Sequence, residues 1–136
     1  SGLRDSMDIA LCSINRAKSD LLFAGAHNPL YVISEGNLIE YKGDDISIGN
    51  SAAVRFMNHK IKLNKGDCLY IFTDGFADQK GSVHRKKFYY DPFKNLLLKI
   101  HSETMVKQKI QLNIAMDEWM GDEKQIDDML IIGIRI

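Results

Sequence analysis

The residues of this 136-residue chain best placed to do chemistry are carboxylates at the ends of two apolar runs. Asp74-Gly75 follows Cys68 to Thr73, and Asp127-Asp128 precedes Met129 to Ile136. The first run is rich in β-formers and lacks polar alternation, as expected of a strand buried on both faces, and the second reads as a final apolar strand. If the two strands are antiparallel neighbours, Asp74 at the end of one and Asp127 and Asp128 at the start of the other meet at one sheet edge. Carboxylates held together raise each other's pKa unless a cation neutralises them. All-oxygen ligands of this kind suit Mg²⁺ or Mn²⁺ rather than zinc. Gly75, without a Cβ, leaves room for a cation or phosphate beside Asp74. Plainer readings stand beside this one. Asp-Gly is a common hairpin turn, and Asp127-Asp128 could be a solvated turn before a strand.

The elements that must position these groups follow from pattern. Met7 to Ile14 and Asp20 to Ala24 read as a first hairpin, and Leu30 to Ile33 with Asn37 to Tyr41 as a second about Ser34-Glu35-Gly36. Between them His27 and Asn28 precede Pro29 in a small polar break, where a turn role is favoured over ligation. Lys42 to Val54 is a long connection carrying Gly43, Gly49 and Asn50, of the kind that is often functional or mobile. Asn58 to Leu63 alternates as a half-buried strand, and Lys65-Gly66-Asp67 is a turn into the central run.

Beyond Asp74 the character changes. Asp78, one turn on, either supports the site through a hydrogen bond or lies on the surface. Lys80 to Lys87 is a basic loop (K-G-S-V-H-R-K-K) that reads as a solvated face, with phosphate contacts to a phosphoprotein as the alternative. Asp91-Pro92 is expected to cap a helix whose Phe93, Leu96, Leu97 and Ile100 form one buried face. A second helix is expected from Thr104 to Met120, with Leu112, Ala115, Met116 and Trp119 toward the core and Gly121 closing it. Strands, then two helices, then a last strand give an α+β domain: a largely antiparallel sheet or sandwich packed with helices.

The totals exclude several functions. Formal net charge is zero, which argues against a nucleic-acid binder or a membrane-surface protein acting through electrostatics. No apolar run approaches the ~20 residues of a membrane span, and no signal-peptide pattern opens the chain. Cys12 and Cys68 each lie in an apolar run and read as reduced, buried thiols of a cytoplasmic protein. Ser1-Gly2 is expected to be a cloning remnant.

Three segments, F-A-G-A-H-N-P-L-Y (Phe23 to Tyr31), G-D-C-L-Y-I-F-T-D-G-F-A-D-Q (Gly66 to Gln79) and Q-I-D-D-M-L-I-I-G-I (Gln125 to Ile134), resemble SpoIIE-type serine/threonine phosphatases, the bacterial regulatory branch of the metal-dependent PPM superfamily. The resemblance runs from about Met7 to Ile136. It implies a β-sandwich flanked by helices, two Mg²⁺ or Mn²⁺ ions held by aspartates, and in-line attack of a metal-activated water on a phosphoserine or phosphothreonine. By motif, Asp74 and Asp127 match the catalytic metal-ligand aspartates, and Asp128 matches a less direct ligand position. Gly75, Asp78, His27 and Asn28 fall within the motifs as supporting or loop positions. The resemblance further implies an anti-anti-sigma-like phosphoprotein substrate and a sensor region N-terminal in the same chain; the neutral charge adds the expectation of no nucleic acid and no direct membrane contact by this domain.

The family's first signature, an aspartate followed by a D-x-x-G-H-G-like segment, has no counterpart here. Residues 1–136 are therefore expected to be the C-terminal portion of a single phosphatase domain, weakly binding or free of metal and inactive alone. Exposed strand edges and apolar surface are expected to favour self-association, including a homodimer. The competing reading is a degenerate phosphatase fold used as an interaction or dimerisation module. Retention of both Asp74 and Asp127 favours the enzyme.

Overall fold

The computed structural model describes residues 5–49 and 54–136. Ser1-Gly2, and Asn50 with its neighbours in the long connection, lie outside them. Chain order is β1 (Ile9–Asn15), β2 (Asp20–Ala26), β3 (Leu30–Ser34), β4 (Asn37–Tyr41), β5 (His59–Lys62), β6 (Cys68–Phe72), α1 (Gly75–Asp78), α2 (Tyr90–Ile100), α3 (Met105–Met120) and β7 (Ile131–Arg135). Two antiparallel sheets form, β1-β2-β5 and β4-β3-β6-β7. This is the α+β arrangement expected from the sequence.

β6 has no polar alternation because it lies between two apolar layers. Cys68, Tyr70 and Phe72 join Tyr31 and Ile33 of β3 against Phe76, Phe93, Leu97 and Met116 on the helical side. Leu69 joins Leu30 and Val32 against Leu21, Phe23 and Ile61 of the other sheet. Alternate residues of one strand thus serve a sheet–sheet core and a sheet–helix core. The second hairpin turns through Glu35 (φ 50°) and Gly36 (φ 77°), the positive-φ pair that suits the twist of a two-residue loop.

Several expectations are refined. Asp74-Gly75 is not a hairpin turn: Asp74 is the N-cap of the one-turn helix α1, because the chain must leave the sheet toward the helical layer. Asp91 is not the cap of α2. That helix begins at Tyr90, where the Tyr89 N–H is held by the Ala77 carbonyl at 2.8 Å, and Asp91 sits in its first turn. Thr104 does cap α3, accepting from the Lys107 N–H at 3.2 Å, and Gly121 ends it at φ 53°. No helix of the described residues is long and apolar enough to cross a membrane. Both cysteines are free, and burial pushes the Cys12 thiol up to about 11.

The first sheet shows a bare outer face, with Leu11 63% and Leu22 46% exposed. Among the described residues, β1, β4, β5 and β7 are edge strands. The expected exposed edges and apolar surface are therefore present.

Phe93 is fully buried, with its ring 5.0 Å from Phe72, 5.1 Å from Phe76 and 6.1 Å from Tyr31. Phe93→Ala should lower stability by about 3–5 kcal/mol, read from urea unfolding, because α2 would lose its anchor to the sheet.

Candidate active site at the β6–β7 edge

The antiparallel register Phe72↔Ile131 places the end of β6 beside the start of β7. Thr73 extends the pairing. Its N–H donates to the Leu130 carbonyl at 3.0 Å, and its Oγ1 donates to the Asp128 carbonyl at 2.9 Å while accepting from the Leu130 N–H at 3.0 Å. The next residue on one side is Asp74, and the residue before Asp128 on the other is Asp127. Gly75 permits this closeness: a Cβ there would lie 2.1 Å from the Asp128 carbonyl oxygen.

Asp74 makes no capping hydrogen bond to α1, so its carboxylate is turned to other partners. Partial burial raises its pKa first; the charges of Asp78 and Asp127 and a shared hydrogen bond with Asp127 raise it further. Asp127 itself accepts from the Asp128 N–H at 2.8 Å, which fixes its orientation. The structure thus brings Asp74, Asp127 and Asp78 into one electrostatic neighbourhood. Asp128 contributes its backbone carbonyl to the Thr73 clasp, and its carboxylate is not among the groups acting on Asp74. Among the described residues, no group of three or more His, Cys, Asp or Glu side chains is close enough to hold a metal ion.

His27 and Asn28 stand apart from the carboxylates, in the β2–β3 connection. His27 (φ 61°) donates its N–H to the Asp44 carbonyl at 2.8 Å, and its Nδ1 is 3.5 Å from Asp45. The Asn28 N–H donates to the Ala26 carbonyl at 2.7 Å, the turn favoured by the sequence. Tyr90 lies between this loop and the aspartates. Burial pushes its hydroxyl up to about 12, with Asp78, Asp74 and Glu40 adding to the rise.

Two supporting residues had little sequence signal. Gln79 is completely buried; its side-chain amide donates to the Lys80 and Lys124 carbonyls and accepts from the Ile126 N–H, tying the loop after α1 to the segment leading to Asp127. Its carbonyl accepts from Trp119 Nε1 at 2.8 Å, which gives the core tryptophan a polar anchor. Tyr90 stands in the sequence simply as the last of three adjacent aromatic residues, Phe88-Tyr89-Tyr90. The basic loop is ordered by Lys80↔Lys87 pairing, and Lys87 Nζ reaches Asp78 at 3.3 Å; His84, Arg85 and Lys86 are exposed.

Two outcomes follow from this geometry. Gly75→Ala should force the β7 approach segment away from α1 and lower stability by about 1–3 kcal/mol in urea unfolding. Asp74 carries a raised folded-state pKa, so its contribution to stability is fully present below the unfolded value and is lost as pH rises through the folded one. In metal-free buffer, Asp74→Asn should therefore raise Tm at neutral pH by roughly 1–3 °C, with the gain shrinking toward acid pH.

The comparisons with known proteins agree with this architecture. The family model of Stage II sporulation protein E (SpoIIE) matches residues 4–136. The SiaA-PP2C domain of Pseudomonas aeruginosa is 31% identical with a TM-score of 0.90, over 96% of this chain and 52% of that one. The phosphatase domain of the cell fate determinant SpoIIE from Bacillus subtilis shares 16% identity and a TM-score of 0.66, over 95% of this chain and 58% of that one. The RsbU and RsbW domains of Rv1364c from Mycobacterium tuberculosis share 16% identity and a TM-score of 0.72, over 94% and 36%. At such low identity the latter two bear on the fold alone. No curated protein matches the chain. The present chain spans about half the length of the SiaA-PP2C chain (52%). With nearly its whole length matched by the family model and its fold shared with SiaA-PP2C, the chain belongs to the SpoIIE family of PPM-type phosphatase domains.

Proposed function

We propose that this chain is the C-terminal part of a metal-dependent protein serine/threonine phosphatase domain, and that Asp74 and Asp127 are ligands in its active site. The observation that carries the reading is the β6–β7 register, which puts two carboxylates from distant parts of the sequence in contact. That contact is unfavourable without a proton or a cation between them. The donor chemistry fits Mg²⁺ or Mn²⁺, with Asp78 assigned a supporting role and Asp128 the weaker ligand role.

Bound ions of this type lower the pKa of a coordinated water and neutralise charge on a transferring phosphoryl group. The chain's own residues do the positioning. The Thr73 clasp fixes the separation of the two aspartates, the Asp128 N–H orients Asp127, and Gln79 holds the loops on which they stand. Two carboxylates do not complete a bridged two-ion site. The remaining ligands are assigned to the part of the related chains that this one does not span, and residues 1–136 alone are inactive on this reading. The substrate is a regulatory phosphoprotein carrying phosphoserine or phosphothreonine. A sensor region in the same polypeptide would control the activity.

Mn²⁺-dependent phosphate release from a phosphoserine peptide tests this, comparing residues 1–136 with the same chain extended by its natural upstream sequence. Activity is expected in the extended protein, and Asp74→Ala or Asp127→Ala should reduce it by roughly a hundredfold or more. Robust turnover by residues 1–136 alone would contradict the half-site assignment. Inactivity of both folded proteins would favour the interaction-module reading.

A further inference from the structure

Between α1 and α2 the chain carries Lys80, Arg85, Lys86 and Lys87 with no acidic residue among them. A basic run of this kind is ordinarily a solvated face and needs no fixed shape. This one has a fixed shape. The Gly81 N–H donates to the Lys86 carbonyl at 3.0 Å and the Arg85 N–H to the Gly81 carbonyl at 3.0 Å, which closes the run into a tight turn. Gly81 lies against Trp119, where a Cβ would meet the indole at 2.8 Å. Arg85 is held at φ 52°, a conformation that an arginine rarely adopts unless its surroundings impose it. The end of the turn is anchored as well. The Phe88 N–H donates to the Gln79 carbonyl at 2.9 Å, and its ring meets Phe76 and Trp119 edge to face at 5.2 and 5.6 Å.

Direct contacts set this turn beside the carboxylate edge. Lys87 Nζ is 3.3 Å from Asp78, and the Asp78 N–H donates to the Asp74 carbonyl at 2.9 Å, one turn of helix away. Lys87 is thereby committed. Lys80, Arg85 and Lys86 are exposed and form no ion pair among the described residues. Asp122 and Glu123, which follow Gly121 beside Ser82, form none with them either. Val83, at the tip, is 82% exposed. The surface offered is three uncommitted cations and an apolar tip, next to an edge whose own side chains are aspartates.

Charge selects what can lie there. A phosphoprotein that brings its phosphate to the aspartate edge carries the flanking residues past the turn. Acidic flanking residues are repelled by Asp74, Asp78 and Asp127 and attracted by Lys80, Arg85 and Lys86, so the turn is where they find a favourable place. Basic flanking residues would be repelled by it. We propose that the turn at residues 80–87 is a docking surface for acidic residues that flank the phosphorylated residue of the substrate, held through Arg85 and Lys86 with Val83 in apolar contact. The proposal rests on the phosphatase reading and adds to it a substrate preference set outside the metal ligands.

The test uses the extended protein with Mn²⁺ and fluorescent phosphoserine peptides whose flanking residues are glutamate, alanine or lysine. Glutamate at the favoured positions should lower KM, and the Kd read by fluorescence anisotropy in metal-free buffer, by roughly fivefold to tenfold, and the difference should vanish at about 1 M salt. The kcat should be the same for all three peptides. Arg85→Glu combined with Lys86→Glu should turn the preference toward the lysine peptide, while turnover of a small aryl phosphate stays at its unsubstituted level. Both side chains are exposed, so the double variant should fold normally, which circular dichroism would check. Equal KM and Kd for the peptides at every position scanned would overturn the proposal, as would a glutamate preference that survives the double substitution. Binding to phosphatidylserine vesicles that the double substitution abolishes, with no preference among peptides, would reassign the turn to a membrane surface and equally overturn it. Absence of aryl phosphate turnover by the unsubstituted protein would count against the phosphatase reading, and anisotropy would still decide whether acidic peptides dock.

Discussion

The Thr73 hydroxyl, donating to one strand segment and accepting from the same segment two residues on, is the contact on which the candidate site depends. Backbone pairing sets the register of β6 and β7 as far as Phe72↔Ile131 and one bond further, from the Thr73 N–H to the Leu130 carbonyl. Beyond that the two chains would diverge, one into α1 and one from the segment after α3. A side chain that donates and accepts at once keeps them together for the extra step needed to bring Asp74 and Asp127 into contact. Gly75 serves the same end by leaving the space that the Asp128 carbonyl occupies. Neither residue supplies the chemistry, and both determine whether it can be assembled.

The site opposes the fold that carries it. Burial and two neighbouring carboxylates raise the Asp74 pKa, so the ionised form needed to ligate a cation costs more in the folded protein than in water. Gln79 has the opposite character: a completely buried polar side chain with its donors and acceptor matched to partners on two loops. A satisfied network of this kind stiffens the ground on which an unfavourable charge pair stands. The unfavourable charge pair thus stands on loops whose buried glutamine is fully hydrogen-bonded.

Much of this was legible in the sequence because burial leaves period-two and helical patterns. The unbroken apolar run of β6 announced a strand between two layers, and the placement of Asp74 after it and Asp127 before β7 announced a meeting of carboxylates, given antiparallel neighbours. What the sequence concealed depends on partners far along the chain. Asp-Gly after a strand suits a hairpin locally, and the one-turn helix follows from where the helical layer lies. Asp91-Pro92 has good capping chemistry, but Tyr89 is held at φ 71° by the Ala77 carbonyl, which starts α2 earlier. Nothing local marks Gln79 as a glutamine that will bond to Lys124 and Ile126.

The separation in sequence of β6 and β7 has a further meaning for how the molecule comes into being. β1 with β2 and β3 with β4 close through short turns, and α2 and α3 form from local bonds. The β6–β7 ladder must instead close a loop containing every helix of the described residues, with the entropy loss that long loops carry. A chain halted before that closure would hold most of its secondary structure and still keep its two aspartates apart. Regain of helical signal and regain of the carboxylate pair are therefore different events in the life of this fold, and the second marks its completion.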